Sequence, residues 1–157
     1  MSSTDNHDAL TQELITQFRY VSANSVMFSQ VVADKVGLHS TDNECLDFLL
    51  LNGPSTAGQL ALYTGLTTGA VTAMVDRLVK AGFVHRQHSE EDRRKVVVIP
   101  NQEKIAEEIA PHSMLMGTAL VALCEEFSED ELAIIMRFIS KANRFATDVI
   151  AQTRGEK

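Results

Sequence analysis

The stretch from Thr56 to Pro100 restricts the fold most, because it strings together a helix, a glycine turn, a second helix and two β-branched runs. Within Leu66-Thr67-Thr68-Gly69-Ala70-Val71-Thr72-Ala73-Met74-Val75-Asp76-Arg77-Leu78-Val79-Lys80-Ala81-Gly82, the apolar Val71, Val75 and Leu78 recur at helical spacing. Thr68, Thr72 and Asp76 line another face, so the spacing predicts an amphipathic helix with a small, polar outer surface. Thr67 is placed to cap its start by accepting a backbone hydrogen bond, and Gly82 stands where a positive φ ends it. Upstream, Ser55 or Thr56 caps a short helix running through Tyr63, with Leu60 and Ala61 inward. Thr64-Gly65-Leu66 makes the turn between the two. Helices joined in this way carry the helix-turn-helix signature, whose second helix enters the major groove of DNA. Downstream, Phe83-Val84-His85-Arg86-Gln87 and Val96-Val97-Val98-Ile99 flank the charged run from His88 to Lys95 and predict a hairpin. A helix-turn-helix followed by a β-wing is a more demanding order of elements than either part alone.

Helical patterns return on both sides of this lobe. Leu10, Leu14, Phe18, Val21 and Ser25 step by three and four, and no proline or glycine interrupts the chain until Gly37. A long first helix over residues 8–36 follows, with Val26, Phe28, Val31 and Val32 widening its apolar surface beyond one contact face. Thr41 and Glu44 fit a capping box for a second, buried helix carrying Cys45, Leu46, Phe48, Leu49 and Leu50, which Asn52-Gly53-Pro54 stops. After the hairpin, Ile105, Ile109, Met116, Leu120 and Leu123 mark helix broken near Ala110 by Pro111. Ser128 and Glu131 fit a further capping box, opening a last helix with Leu132, Ile135, Phe138, Ile139, Ala142 and Phe145 on one side. The terminal helices carry more apolar surface than a lobe of about sixty residues can cover, which predicts a two-fold homodimer. The expected fold is mainly α with a small β-wing.

With 157 residues and 45 per cent hydrophobic content, the chain suits one sizeable core rather than two. No run is long enough to span a bilayer, and the polar, acidic start shows no export signal, so a cytoplasmic protein is expected. Cys45 and Cys124 form no CxxC pair and are expected to be buried, reduced thiols, with a redox-sensing role left open. The net charge of −7 weighs against nucleic acid, but its distribution weighs more. From Gly37 to Pro100 there are six basic and seven acidic residues, a balance of −1, which leaves −6 in the flanking segments. Clustered arginines on a nearly neutral module are compatible with DNA, because local fields act within about 10 Å.

The chain resembles the multiple-antibiotic-resistance regulator (MarR) family of bacterial transcription factors. The resemblance rests on Gln59-Leu60-Ala61 with Thr64-Gly65-Leu66, on Gly69-Ala70-Val71-Thr72 through Val75-Asp76-Arg77-Leu78, and on Ala81-Gly82-Phe83-Val84-His85-Arg86. Above all it rests on Glu91-Asp92-Arg93-Arg94-Lys95-Val96. It implies a single domain over residues 1–157. In that domain, residues 37–100 form a winged helix-turn-helix and residues 8–36 and 101–151 supply dimerisation helices. It also implies a regulator without cofactor or metal that releases DNA when a small molecule binds. Ser55 and Thr56 would open the helix-turn-helix, while Thr67, Thr68, Gly69 and Thr72 would face the groove, where hydroxyls and methyls reach base edges. Arg77 would touch a phosphate or serve an acidic neighbour. Arg93 and Arg94, followed by Lys95, would bring the wing to the minor groove. Asp92 would be a strut, holding Arg94 or Arg86. The helix begins without an arginine, glutamine or asparagine suited to bidentate base reading, a departure that leaves its specificity code open.

Plainer readings stand beside these. A threonine-rich helix start is often only a cap, and charge runs are usually solvated turns. His85 and His88 near Glu90, Glu91 and Asp92 match no zinc spacing. Met27, Met74, Met114 and Met116 read as core filler. The absence of GxSxG, a phosphate-binding glycine loop or HExxH argues against an enzyme. A winged-helix protein-interaction module that has lost specific DNA binding is the alternative function.

Overall fold

A computed structural model of the protein describes residues 3–89 and 92–155. Its elements run α1 (Ser3–Lys35), α2 (Ser40–Asn52), β1 (Ser55–Thr56), α3 (Ala57–Thr64), α4 (Thr68–Lys80), β2 (Val84–His88) and β3 (Val96–Pro100). They continue with α5 (Gln102–Glu108), α6 (Ala110–Cys124) and α7 (Glu129–Arg154). The chain divides into two compact units, Met1–Ser113 and Met114–Lys157.

The core of the first unit forms where the apolar pattern places it. On α4, Val71, Met74, Val75 and Leu78 are all buried, and they meet Cys45, Leu46 and Leu49 of α2 and Leu60 of α3. Phe83, Val84, Val98, Ile105 and Ile109 close the other side. Gly65 (φ 71°) ends α3, and Gly82 (φ 80°) follows α4, both in the left-handed region that side-chain-bearing residues avoid. Phe83 then turns directly into the sheet, its amide bonded back to the Leu78 carbonyl at 3.0 Å.

The sheet holds three antiparallel strands in the order β1-β3-β2, not the two of a hairpin. Ser55 pairs with Val98 and Thr56 with Val97, while Arg86 faces Val98 and His88 faces Val96 across the other edge. A two-residue strand carries too little pattern to be read from side chains. Backbone pairing alone places it, and it anchors the entry to the helix-turn-helix.

Several local expectations change. Thr41 and Glu44 form no capping box, because α2 starts two residues earlier than that box requires and His39 caps it without a side-chain hydrogen bond. Thr41 already lies inside the helix, and Asp42 in that first turn is buried instead. Leu50 is exposed, since α2 turns that position away from the core. The helix break falls at Ile109, beside Ala110 as expected, but Pro111 lies in the first turn of α6, where a missing amide hydrogen costs no helical bond. Of the four methionines read as core filler, only Met74 is buried; Met27, Met114 and Met116 lie on exposed helix faces. Cys45 is buried, but Cys124 is exposed at the end of α6.

The second unit keeps the predicted cap of its long helix. The Ser128 amide donates to the Glu131 carboxylate at 2.9 Å, and the Glu131 amide donates to the Ser128 hydroxyl at 3.4 Å. No residue of α6 or α7 is buried within the protomer. Ile135, Ile139 and Phe145 of α7 lie open, as do Leu10, Leu14 and Val21 of α1. Among the described residues, no helix is long and apolar enough to cross a membrane.

Candidate nucleic-acid interface

Thr67 has the extended backbone of a capping residue, and its hydroxyl accepts the Ala70 amide at 3.3 Å. This fixes the entry angle of α4 and leaves Thr68, Gly69 and Thr72 on its outer surface, all exposed. The Thr72 hydroxyl donates to the Thr68 carbonyl at 3.0 Å, so the proton is used within the helix while the oxygen lone pairs remain available. A Cβ built on Gly69 would meet nothing within 4 Å. Packing inside the protomer therefore does not require a glycine there, in the first turn of the helix, although glycine is a poorer helix former than alanine. A flat surface that nothing internal needs suits close approach by something external.

Two acid–base pairs secure this helix. The Arg77 Nε and Nη2 donate to the two carboxylate oxygens of Asp42 at 3.0 and 2.5 Å, joining α4 to α2. Asp42 is 1% exposed, whereas the Arg77 side chain keeps 43% of its surface in solvent. The hydrogen bond to Asp42 raises the Arg77 pKa further, so the guanidinium is charged throughout. Of the two roles open to Arg77, the structure realises the acidic partner. The second pair, Arg86 Nη2 to Asp76 at 2.7 Å, joins strand β2 to the outer face of α4. Arg86 is therefore tied to the helix rather than to Asp92, a correction to the expected strut.

Asp92 supports the wing through its backbone. Its carboxylate accepts the Arg94 amide at 3.1 Å, its carbonyl accepts the Lys95 amide at 2.8 Å, and its own amide donates to the Ser89 hydroxyl at 3.4 Å. Lys95 Nζ lies 3.9 Å from the same carboxylate. The Ser89 amide, bonded to the Lys95 carbonyl at 2.9 Å, closes the base of the turn. The strut thus holds the amide of Arg94, not its guanidinium, because a short carboxylate reaches the peptide two residues on more readily than a long side chain. Arg93 and Arg94 stand exposed at the tip. Glu90 and Glu91, which belong to the charge run and to the resemblance, lie outside the described residues.

At the entry to the helix-turn-helix, Thr56 and Gln59 form a reciprocal capping box, with Thr56 amide to Gln59 Oε1 at 2.8 Å and Gln59 amide to Thr56 Oγ1 at 3.3 Å. Ser55 does not share the cap. It is buried in β1, with its hydroxyl donating to the Gly53 carbonyl at 3.0 Å. A shallow cleft of about 510 Å³ lies between this capped start and the wing base, lined by Thr56, Gln59, Gln87, His88, Ser89 and Lys95. Pro54, Val97 and Ile99 complete a lining that is mixed polar and apolar, with Lys95 its one permanent cation. His85 and His88 are exposed along β2, and no group of three His, Cys, Asp or Glu among the described residues is arranged to hold a metal. Burial, assisted by Asp42, pushes the Cys45 thiol up to about 12, which removes the thiolate a redox sensor needs.

Sequence reasoning missed Asp42 and the Asp76–Arg86 tie. Asp42 sits in a Ser-Thr-Asp-Asn-Glu run that looks like a helix cap, and its partner lies 35 residues away. The one available signal was an acidic residue three positions before a buried apolar run.

Comparison with known proteins places this geometry. The MarR family pattern matches residues 38–96. An HTH-type transcriptional regulator of Bacillus subtilis, YcgE, is 39% identical over 145 residues, covering 90% of this chain and 92% of its own. Among solved structures, a MarR family protein from Bacillus stearothermophilus superposes with a TM-score of 0.68 at 25% identity, covering 89% of this chain and 97% of that one. Apo MarR from E. coli superposes with a TM-score of 0.58 at 22% identity, covering 82% and 96%, a likeness of fold.

Proposed function

The chain belongs to the MarR family of winged-helix transcriptional regulators, and from that premise we propose that it is a repressor that reads a pseudo-palindromic operator as a homodimer. In this reading Thr67, Thr68, Gly69 and Thr72 of α4 enter the major groove. Arg93 and Arg94 reach the adjacent minor groove, Lys95 meets the backbone, and Asp92 keeps the wing in shape. Residues 37–100 act as the DNA-binding lobe of a single domain. Residues 8–36 and 101–151 join two copies, which sets two recognition helices about 34 Å apart, one turn of DNA. The protein acts on cytoplasmic DNA.

The observation that carries this reading is the outer surface of α4. It is built from threonine and glycine that the protomer's own core does not use, on a helix held firmly from behind. The open apolar faces of α1 and α7 support the dimer. A small-molecule effector relieves repression by binding more tightly to a dimer whose helices are wrongly spaced, and the shift is limited by that difference in affinity. The test is fluorescence anisotropy of the full-length protein on DNA from upstream of its own gene and of neighbouring promoters. It is run at several salt concentrations with random DNA as competitor. Tight, salt-dependent binding that survives the competitor is expected. Binding to every promoter segment no better than to random DNA would favour the protein-interaction module.

A further inference from the structure

Arg77 lies on the recognition helix and carries a permanent positive charge, so the simple expectation for a DNA-binding protein is a phosphate contact. Its geometry argues otherwise. Two of its nitrogens are spent on the two oxygens of one carboxylate, in the planar fork that arginine alone provides. That carboxylate, Asp42, is almost wholly enclosed, and a buried carboxylate without a cation is costly, so the pair resists being opened to release Arg77 toward DNA. The helix steps about 100° per residue, which sets Arg77 away from the line of Thr68, Thr72 and Asp76. The turn of α2 that supplies Asp42 is itself tied to α1, because the neighbouring Asn43 Nδ2 donates to the Ser29 hydroxyl at 3.2 Å.

We propose that Asp42 and Arg77 form a positioning pair. They fix the pitch and rotation of the recognition helix on α2, so that Thr68 and Thr72 meet base edges in register, and Arg77 gives its charge to Asp42 rather than to a phosphate. The inference rests on the DNA-binding reading above. The pair sets specificity, while the exposed wing cations Arg93, Arg94 and Lys95 carry the electrostatic part of binding.

The two roles of Arg77 separate cleanly in four variants of the full-length protein, each confirmed folded by circular dichroism. They are assayed on the best promoter segment and on random DNA over a range of salt. Asp42→Asn and Arg77→Lys keep size and leave no buried unpaired anion or lost cation, respectively, but neither preserves the bidentate charged fork. Each is expected to weaken promoter binding by at least about tenfold, the loss that one mismatched base pair typically causes. Affinity for random DNA is not reduced, and the double variant Asp42→Asn/Arg77→Lys is no worse than either single one. Arg77→Gln is expected to leave the salt slope unchanged. A merely structural role would lower promoter and random-DNA binding together, in proportion to folded protein, and leave their ratio intact.

The inference is overturned if Asp42→Asn binds the promoter as well as or better than wild type. It is equally overturned if Arg77→Gln flattens the slope by about 1.8, the contribution of one phosphate contact in each of two protomers. Wild-type protein that fails to distinguish any promoter segment from random DNA would instead sink the regulator reading, and this inference with it.

Discussion

The recognition helix α4 and the last helix α7 are both strongly amphipathic, both start from a hydroxyl cap, and end in opposite circumstances. Val71, Met74, Val75 and Leu78 of α4 are sealed within the first unit, whereas Ile135, Ile139 and Phe145 of α7 remain open. An apolar stripe tells that a face will be covered; it does not tell by what. For α4 the cover comes from α2, α3 and the sheet of its own chain. For α7 the matching surface belongs, in the proposed dimer, to a second copy. In the proposed dimer the contrast divides the labour of the molecule, with a self-sufficient lobe to read DNA and long helices to set the distance between two lobes.

The sharpest break in that comparison is Leu78→Ala, which should cost about 3 kcal/mol by opening a cavity in the closed core. Urea unfolding checks it, and a loss under 1 kcal/mol would mean that α4 is not sealed as described. Next comes Ile139→Glu on the open face of α7. It should weaken dimerisation by about a hundredfold in analytical ultracentrifugation, near 2.7 kcal/mol, while the far-ultraviolet spectrum of the chain is retained. An unchanged dimer would place the two-fold contact elsewhere.

A smaller and opposite effect is expected on the outer face of α4. Gly69→Ala should raise thermal stability, because the added methyl meets no protein atom and helix propensity improves by up to about 1 kcal/mol, less in this first turn than in a helix interior. The same change should weaken promoter binding, where the methyl meets DNA. A variant both more stable and equally tight in anisotropy titrations would remove Gly69 from the interface.

The smallest effect concerns the start of α7. The hydrogen bonds from Ser128 hold the Glu131 carboxyl below the usual glutamate range, so its folded pKa lies below its unfolded one. The stability this gives is present above the unfolded value and is lost as pH falls through the folded one. Thermal melting of Glu131→Gln should therefore depend less on pH than wild type in that acid window. Superimposable pH profiles would rule the contribution out.

Much of the site was legible because it depends on neighbours in sequence. The Thr67 cap, the Thr56 cap, the Gly65 turn, the Gly82 stop and the wing loop around Asp92 are all closed by bonds between residues two to six apart. The partners of Arg77 and Arg86 were not legible. Each arginine had several acids within plausible reach along the chain, and only packing chose Asp42 for the first and Asp76 for the second. The same holds for β1, a strand too short to show alternation, and for Thr41, whose apparent capping box lost its role when α2 began two residues earlier.

The amino-acid sequence by itself determined the order and type of the elements other than β1, the buried stripe of α4 and the hydroxyl-and-glycine surface opposite it, because helical period and capping chemistry act over one or two turns. Only the tertiary structure decided that Asp42 is enclosed, that Arg77 spends its charge there, and that Asp92 supports a backbone amide while Arg86 turns to Asp76. The first of these follows from packing that removes Asp42 from water, since a buried carboxylate takes a cation that can satisfy both of its oxygens, while the other contacts are set by which groups the fold brings within reach at the surface.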